Sequence, residues 1–85
     1  MEREPLADVL REIVRKHAAF AVGAIAEDDL VTGDLGLDSL GLLLSLGDVE
    51  ERLGFSFPME RLGDVRELRF GAFVDLVRSA LNQPR

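Results

Sequence analysis

The junction at residues 38–40 determines where the central helix of this chain begins. Asp38 and Ser39 carry side-chain oxygens that can accept hydrogen bonds from the free N–H groups of a first helical turn. Leucine fills most of the positions from there to residue 46. The pattern predicts a helix that starts at Ser39, with the serine hydroxyl at the positive end of the helix dipole, where a phosphate would be stabilised.

Three stretches of the sequence have the apolar periodicity of amphipathic helices. The first runs from about Pro5 to Ala19, with the proline in the first turn, where its missing N–H costs nothing. The second runs from Ser39 to about Leu53 and is followed by Gly54, a residue type that favours the left-handed C-cap. The third runs from about Val65 to Leu81, with Asp64 as its candidate cap.

Residues 20–37 are predicted to form a long loop, because three glycines and several turn-forming residues interrupt them. Seven apolar side chains are expected to pack beneath the helices and hold this loop down: Phe20, Val22, Ile25, Leu30, Val31, Leu35 and Leu37. A turn near Glu27–Leu30 and one short helical turn from Met59 to about Gly63 complete the pattern. We therefore predict one all-α domain over residues 1–85, with its core at about 5–81. It would be a small four-helix bundle of three longer helices plus one short one, with a long first loop.

The length and composition of the chain limit its chemistry. Eighty-five residues leave no room for a second core, and without cysteine there is no thiolate ligand or nucleophile. His17 lies on the apolar stripe of the first helix and is predicted to be a partly buried helix-end residue. No base accompanies Ser39, and the acids at 27–29 lack the spacing of a calcium loop. We predict no catalytic residue and no metal site.

The formal net charge of −6 is concentrated in the middle of the chain. Between Lys16 and Arg52 there is no lysine or arginine but there are eight acidic residues. This argues against nucleic-acid binding and suits partners with basic surfaces, although a merely solvated acidic face is the alternative. No apolar run is long enough for a bilayer and no signal peptide is recognisable, so a cytoplasmic protein without a membrane partner is expected.

The second helix is apolar on more than one face. A core stripe is formed by Leu42, Leu46, Val49 and Leu53. Leu40, Leu43 and Leu44 lie on other faces and are predicted to be at least partly exposed for partners, unless two of them close the core. Gly41 and Gly47 each cost about 1 kcal/mol relative to alanine inside a helix. Close approach of another backbone would account for that cost, or Gly47 could mark a kink.

The string Leu-Gly-Leu-Asp-Ser-Leu at residues 35–40 resembles the attachment motif of acyl carrier proteins, in which the serine after the aspartate carries phosphopantetheine. The resemblance extends over about residues 6–81. A helix and a long loop precede the motif, and the serine begins the second helix. Glu50 and Glu51 lie near the end of that helix, where the family usually has acids, and Phe57–Pro58 occupies the place of its hydrophobic–proline pair.

The resemblance implies a carrier rather than an enzyme. A phosphopantetheinyl transferase would attach 4'-phosphopantetheine covalently to Ser39, Asp38 would help to present the serine, and the arm would hold acyl groups as thioesters. The partners would be that transferase and acyl-loading or acyl-transferring enzymes such as a ligase, an acyltransferase or a ketosynthase. The carrier itself would be a monomer that moves between these enzymes. The residues expected to dock these enzymes are Leu40, Leu43, Leu44, Asp48 and Glu51.

The sequence departs from the family pattern at the front of the second helix. Family members often have acids just after the motif and one turn further on, where this chain has Gly41 and Leu44. The departure favours a carrier for a specialised pathway, such as polyketide or other secondary metabolism, over general fatty-acid synthesis. Two alternatives are an aminoacyl or D-alanyl carrier and an unmodified helical adaptor whose leucine-rich helix packs into a partner groove.

Overall fold

The computed structural model describes residues 2–57, residue 65 and residues 67–82. Within these ranges it contains three continuous helices, α1 (Arg3–His17), α2 (Ser39–Leu53) and α3 (Phe70–Asn82), a helical residue at Val65, and no strand. The predicted all-helical class is confirmed for this part of the chain. The short helical turn expected at 59–63 and the cap expected at Asp64 lie outside the described residues, so the four-helix count remains a prediction. None of the described helices is both long enough and apolar enough to pass through a bilayer.

The helix α1 begins two residues earlier than predicted and ends two residues earlier. At its start, the N–H of Leu6 donates to the carbonyl of Glu2 at 3.2 Å, so the first turn begins at Arg3 and includes Pro5. At its end, Ala18 is extended and the N–H of Ala19 donates to the carbonyl of Gly36 at 2.8 Å. The chain after His17 is therefore bonded to the loop instead of continuing the helix.

The core is built around α1, which packs against both α2 and α3. Each helix contributes one buried apolar stripe, as the periodicity predicted. These stripes consist of Leu6, Leu10, Ile13 and Val14 in α1, of Leu42, Leu46 and Val49 in α2, and of Phe70, Phe73, Val74 and Val77 in α3. Burial of such side chains contributes about 1.5–3 kcal/mol each and is the main stabilising term for a helical domain of this size.

The loop between α1 and α2 packs into the core by four of the seven side chains predicted to hold it: Ile25, Val31, Leu35 and Leu37. Val22 is partly buried. The prediction is wrong for Phe20 and Leu30, which are 54% and 37% exposed. Phe20 lies against Gly36 on the outside of the loop, and Leu30 is close to Gly33 at the surface.

Guanidinium groups hold the loop as well. Arg11 donates to the carbonyl of Ile25 at 3.2 Å, and Arg15 donates to the carbonyl of Gly23 at 3.1 Å. From the other side, Arg69 donates to the carbonyl of Asp28 at 2.6 Å. These bonds satisfy loop carbonyls that have no helical partner, which allows a long segment without regular structure to have a defined path.

The helix α3 begins at Phe70, five residues later than the predicted start at Val65. Its first N–H groups donate to carbonyls of the loop. The N–H of Phe70 donates to the carbonyl of Asp29 at 2.7 Å, and the N–H of Gly71 donates to the backbone carbonyl of Glu27 at 2.9 Å. The carbonyl of Leu68 in turn accepts from Val31 at 3.1 Å. This pairing with the loop fixes the backbone before residue 70 in a path other than a continuous helix.

Arg3 joins the start of α1 to both the loop and α3. Its guanidinium donates to the two carboxylate oxygens of Glu27 at 2.7 and 2.8 Å and to Asp75 at 2.9 Å. These hydrogen bonds raise the pKa of Arg3, and the bond from Arg3 lowers the pKa of Glu27 despite some desolvation. Gly71 lies against this cluster, and an added Cβ would lie 2.6 Å from Oε1 of Glu27, so the carboxylate would have to shift away from its present position.

Candidate functional site

Asp38 is the residue that caps α2. Its backbone is extended, its Oδ1 accepts from the N–H of Gly41 at 2.7 Å, and its carbonyl accepts from Leu42 at 2.8 Å. Ser39 is consequently the first residue inside the helix and is not needed for capping. Its side chain is exposed, and its hydroxyl has no hydrogen-bond partner among the residues described. The predicted helix start at Ser39 is confirmed, and the end at Leu53 with Gly54 in the left-handed conformation (φ 67°) is confirmed too.

The backbone before the cap is fixed by a tight contact at Gly36. This glycine has a φ of 70°, and an added Cβ would lie 2.7 Å from the ring of Phe20. Leu35 and Leu37 on either side are buried, whereas residues 38–40 are exposed. The motif therefore emerges from the core at the start of α2, with its leucines as anchors and its serine at the surface.

Gly41 allows the end of α1 to approach the start of α2. An added Cβ would lie 3.0 Å from the carbonyl oxygen of His17 and 3.1 Å from Oδ1 of Asp38. The predicted close approach of another backbone is confirmed at this glycine. It is wrong for Gly47, which is exposed and would have no atom within 4 Å of its Cβ. Nothing in the described structure explains a glycine at position 47.

Three leucines of α2 face away from the core, as predicted. Leu40 is 64% exposed, Leu43 50% and Leu44 49%, so the alternative in which two of them close the core is wrong. Leu40, Leu44 and Gly47 are spaced so that they lie along one line of the helix, and Glu51 continues that line one turn further on. Glu51 is exposed and has no ion pair within the described residues.

The other two acids at this end of α2 have partners within the chain. Glu50 accepts from the N–H of Phe57 at 2.6 Å. Asp48 is bonded to Nε2 of His17 at 2.6 Å and to Nζ of Lys16 at 3.3 Å. The bond to His17 lowers the pKa of Asp48, and Lys16 acts in the same direction against partial desolvation.

His17 is a partly buried residue at the end of α1, which confirms the prediction. Its bond to Asp48 was not predicted from the sequence. The two residues are thirty-one positions apart, and no periodicity connects them, because only the packing of α1 on α2 brings them together. The bond to Asp48 occupies Nε2 of His17, and no hydrogen bond joins the ring to Ser39 in the described part of the chain.

The site does have the properties needed to hold a phosphate ester. Ser39 offers an exposed hydroxyl, the cap leaves that hydroxyl unused, and the N-terminus of a fifteen-residue helix stabilises a neighbouring negative charge. The surrounding residues 38–40 are all exposed, so a visiting enzyme can reach the oxygen. The residues present therefore fit a prosthetic group linked through phosphate.

Comparison with known proteins agrees with this geometry. The model of a family described as the phosphopantetheine attachment site matches residues 8–69, a segment that includes the whole motif and most of the chain. The chain belongs to the acyl carrier protein family. As a member, it is a carrier and not an enzyme, and its prosthetic group is a covalently attached 4'-phosphopantetheine. Members interact with a phosphopantetheinyl transferase and with acyl-handling enzymes.

Individual relatives are also similar to this chain. The anthracycline acyl carrier protein DpsG of Streptomyces peucetius is 42% identical over 59 residues, which cover 67% of this chain and 70% of the relative. The anthracycline acyl carrier protein DauA of Streptomyces sp. (strain C5) is 41% identical over the same length and coverage. An acyl carrier protein of Tropheryma whipplei (strain Twist) is 28% identical over 81 residues, or 94% of this chain and 95% of the relative. No solved structure matches the chain.

Proposed function

We propose that Ser39 is the attachment residue for 4'-phosphopantetheine and that the carrier serves a polyketide-type pathway. The observation that carries the first part is the division of roles at the start of α2. Asp38 caps the helix, so the hydroxyl of Ser39 is exposed and has no structural role to give up on modification. When bound, the arm supplies a terminal thiol that holds acyl groups as thioesters, which is a chemistry this cysteine-free chain lacks.

Asp38 contributes to modification as well as to the cap. Only its Oδ1 is used in the bond to Gly41, and Oδ2 has no partner among the described residues. A carboxylate next to the accepting serine can contact a basic side chain of the transferase or a magnesium ion that the transferase holds. The aspartate thus helps to place Ser39 for the incoming phosphate.

The partner enzymes dock on a surface that we call the docking face, composed of Leu40, Leu43, Leu44 and Glu51. The exposure of the three leucines, at about half or more of each side chain, supports this role. Glu51 supplies an exposed carboxylate with no ion pair in the part of the chain that the structure describes. Asp48, which the sequence also suggested for docking, is bonded to His17 and Lys16, so it is not included in this face. The complementary partner surface is apolar with a basic edge.

The polyketide assignment is supported by two observations. The front of α2 is apolar where carriers for fatty-acid synthesis often have acids, and two relatives at 41–42% identity are anthracycline acyl carrier proteins. To test it, the arm-bearing protein is offered to purified fatty-acid synthase enzymes and to the ketosynthase of an aromatic polyketide pathway. We expect the ketosynthase of the aromatic polyketide pathway to extend the acyl chain on this carrier. Efficient elongation by the fatty-acid enzymes would contradict the assignment.

The attachment residue is tested by intact mass measurement after incubation with coenzyme A and a promiscuous phosphopantetheinyl transferase. The wild-type chain and Ser56→Ala, which changes another exposed serine, should each gain the mass of one arm. Ser39→Ala should gain none. Absence of a gain in the wild type would favour an unmodified helical adaptor.

A further inference from the structure

Ser45 is the one polar residue that is completely buried in the part of the chain that the structure describes. Its relative exposure is 0%, and its Oγ has no hydrogen-bond partner among the described residues. The usual partner for a serine inside a helix is the carbonyl four residues earlier, here that of Gly41, and this bond is not made. Buried hydroxyls are nearly always paired, because an unpaired one has lost its water without compensation.

Packing alone does not account for a serine at this position. Ser45 lies on the core side of α2 between Leu42 and Leu46, and the rest of that stripe is aliphatic. An alanine would fill nearly the same volume without a buried hydroxyl, so it would suit the core of the unloaded protein at least as well. The hydroxyl therefore has a capacity for hydrogen bonding that no described residue fills.

The position of Ser45 relates it to the attachment residue. Ser45 comes six positions after Ser39 in the helix. This spacing corresponds to about 9 Å along the helix axis. It lies on the opposite side of α2 from the docking face, and it is buried where the three leucines of that face are exposed. A group tethered at Ser39 that folded back into the core would pass this hydroxyl, while α2 still presented the docking face to an enzyme.

A second buried atom has the same hydrogen-bonding character. Nε of Arg78 in α3 is buried and has no partner within the described residues. Both groups are donors, since an arginine nitrogen and a serine O–H each offer a proton. A partner that would satisfy both of them is an acceptor oxygen, such as a carbonyl; the serine oxygen can also accept a hydrogen bond, whereas the arginine nitrogen cannot.

We propose that the Ser45 hydroxyl donates a hydrogen bond to an oxygen of the acyl group carried on the arm, so that the protein favours acyl chains bearing keto or hydroxyl groups over plain alkyl chains. The proposal rests on the function given above, because it requires an arm on Ser39. A plain alkyl chain beside Ser45 leaves the hydroxyl unpaired, whereas an oxygenated chain pairs it. Sites built to pair a polar group discriminate strongly against analogues that lack it.

The test compares two acyl groups of equal length, a hexanoyl chain and the same chain bearing one keto group. Each is loaded onto the arm-bearing wild type, Ser45→Ala and Ser79→Ala, in which an exposed serine of α3 is the matched control. Loading is confirmed by mass before any comparison. The readouts are the thermal midpoint relative to the unloaded arm-bearing protein and the amide chemical shifts of α2.

In the wild type and in Ser79→Ala, we expect the keto chain to raise the midpoint more than the hexanoyl chain and to shift the amides around residue 45. In Ser45→Ala the difference between the two chains should be lost, while the unloaded variant unfolds at a midpoint no lower than that of the wild type. Equal effects of both chains in the wild type, or a difference that survives in Ser45→Ala, would overturn the proposal. A protein that takes no arm on Ser39 would instead overturn the proposed function, and this inference with it.

Discussion

At the scale of single residues, the site depends on which of two adjacent capping residues does the capping. Asp38 and Ser39 are both residue types that cap helices, so the sequence predicts the start of α2 but not the division of roles. The structure places the cap on Asp38, which leaves the serine hydroxyl exposed. The carboxylate of Asp38 caps the helix, and in the proposed function it also assists modification, so the two contributions should be separable by substitution.

Asp38→Asn and Asp38→Ala provide that separation. An asparagine oxygen can still accept from Gly41, so Asp38→Asn should unfold in urea with nearly the wild-type free energy, whereas Asp38→Ala loses about 1 kcal/mol. Both variants lack the charge, and both should be modified more slowly by the transferase. Modification of Asp38→Asn at the wild-type rate would show that only the cap matters.

The two glycines of α2 form a second matched pair. Gly47→Ala should stabilise the protein by about 0.5–1 kcal/mol, because alanine has the higher helix propensity and the new methyl group meets nothing. Gly41→Ala should lose that gain and destabilise the fold, because its Cβ would press on the His17 carbonyl and on the Asp38 cap. Urea unfolding measures both. A stabilised Gly41→Ala variant would mean that the end of α1 can move away at little cost.

At the scale of elements, the structure depends on how the long loop is attached to α1 and α3. Apolar character correctly predicts the burial of Ile25, Val31, Leu35 and Leu37, but it also predicts burial for Phe20 and Leu30, which are exposed. The late start of α3 is not, because Phe70 and Gly71 donate to loop carbonyls that are about forty positions away. The outward placement of Phe20 is equally a tertiary effect, since only the fold brings its ring onto Gly36.

Arg3 is the residue that ties these elements together, and its removal should loosen all of them. Arg3→Ala loses the paired bonds to Glu27 and the bond to Asp75, so the urea midpoint should fall. The urea midpoint of Arg3→Lys should fall nearly as far, because an ammonium group cannot reproduce the bidentate contact with Glu27. Arg52→Ala is the control: its contact to Glu12 is exposed and 3.5 Å long, and it should change little. Equal effects of Arg3→Ala and Arg52→Ala would exclude a special role for Arg3.

The loss of folding stability at acidic pH should depend on Glu27 and Asp48. The pKa of each is lowered in the folded state, from ordinary values of 4.5 and 3.8. A lowered folded pKa contributes stability that is present above the unfolded pKa and is lost as the pH falls through the folded one. Urea unfolding should show stability declining from about pH 5 downward. The decline should be shallower in Glu27→Gln and in Asp48→Asn, and an unchanged slope in both would contradict this assignment.

At the scale of the whole molecule, the chain is a carrier that does no chemistry itself. It has no cysteine, and its one histidine is bonded to Asp48. It presents an exposed serine at the start of α2 and exposed leucines along the same helix. The motif and the helical periodicity predict from sequence that Ser39 begins α2 in an exposed position, as the structure has it. The pairing of Asp48 with His17 and Lys16, for which we leave it out of the proposed docking face, depends on helix packing and could not be predicted.

The central claim is that the arm is attached to Ser39, and peptide mapping tests it most directly. Because no lysine or arginine lies between Lys16 and Arg52, trypsin releases residues 17–52 as one peptide that contains both Ser39 and Ser45. After treatment with coenzyme A and the transferase, fragmentation of this peptide should locate the added mass on Ser39. Location of the mass on Ser45 or in another peptide, or an unmodified peptide under conditions that modify a known carrier, would contradict the account.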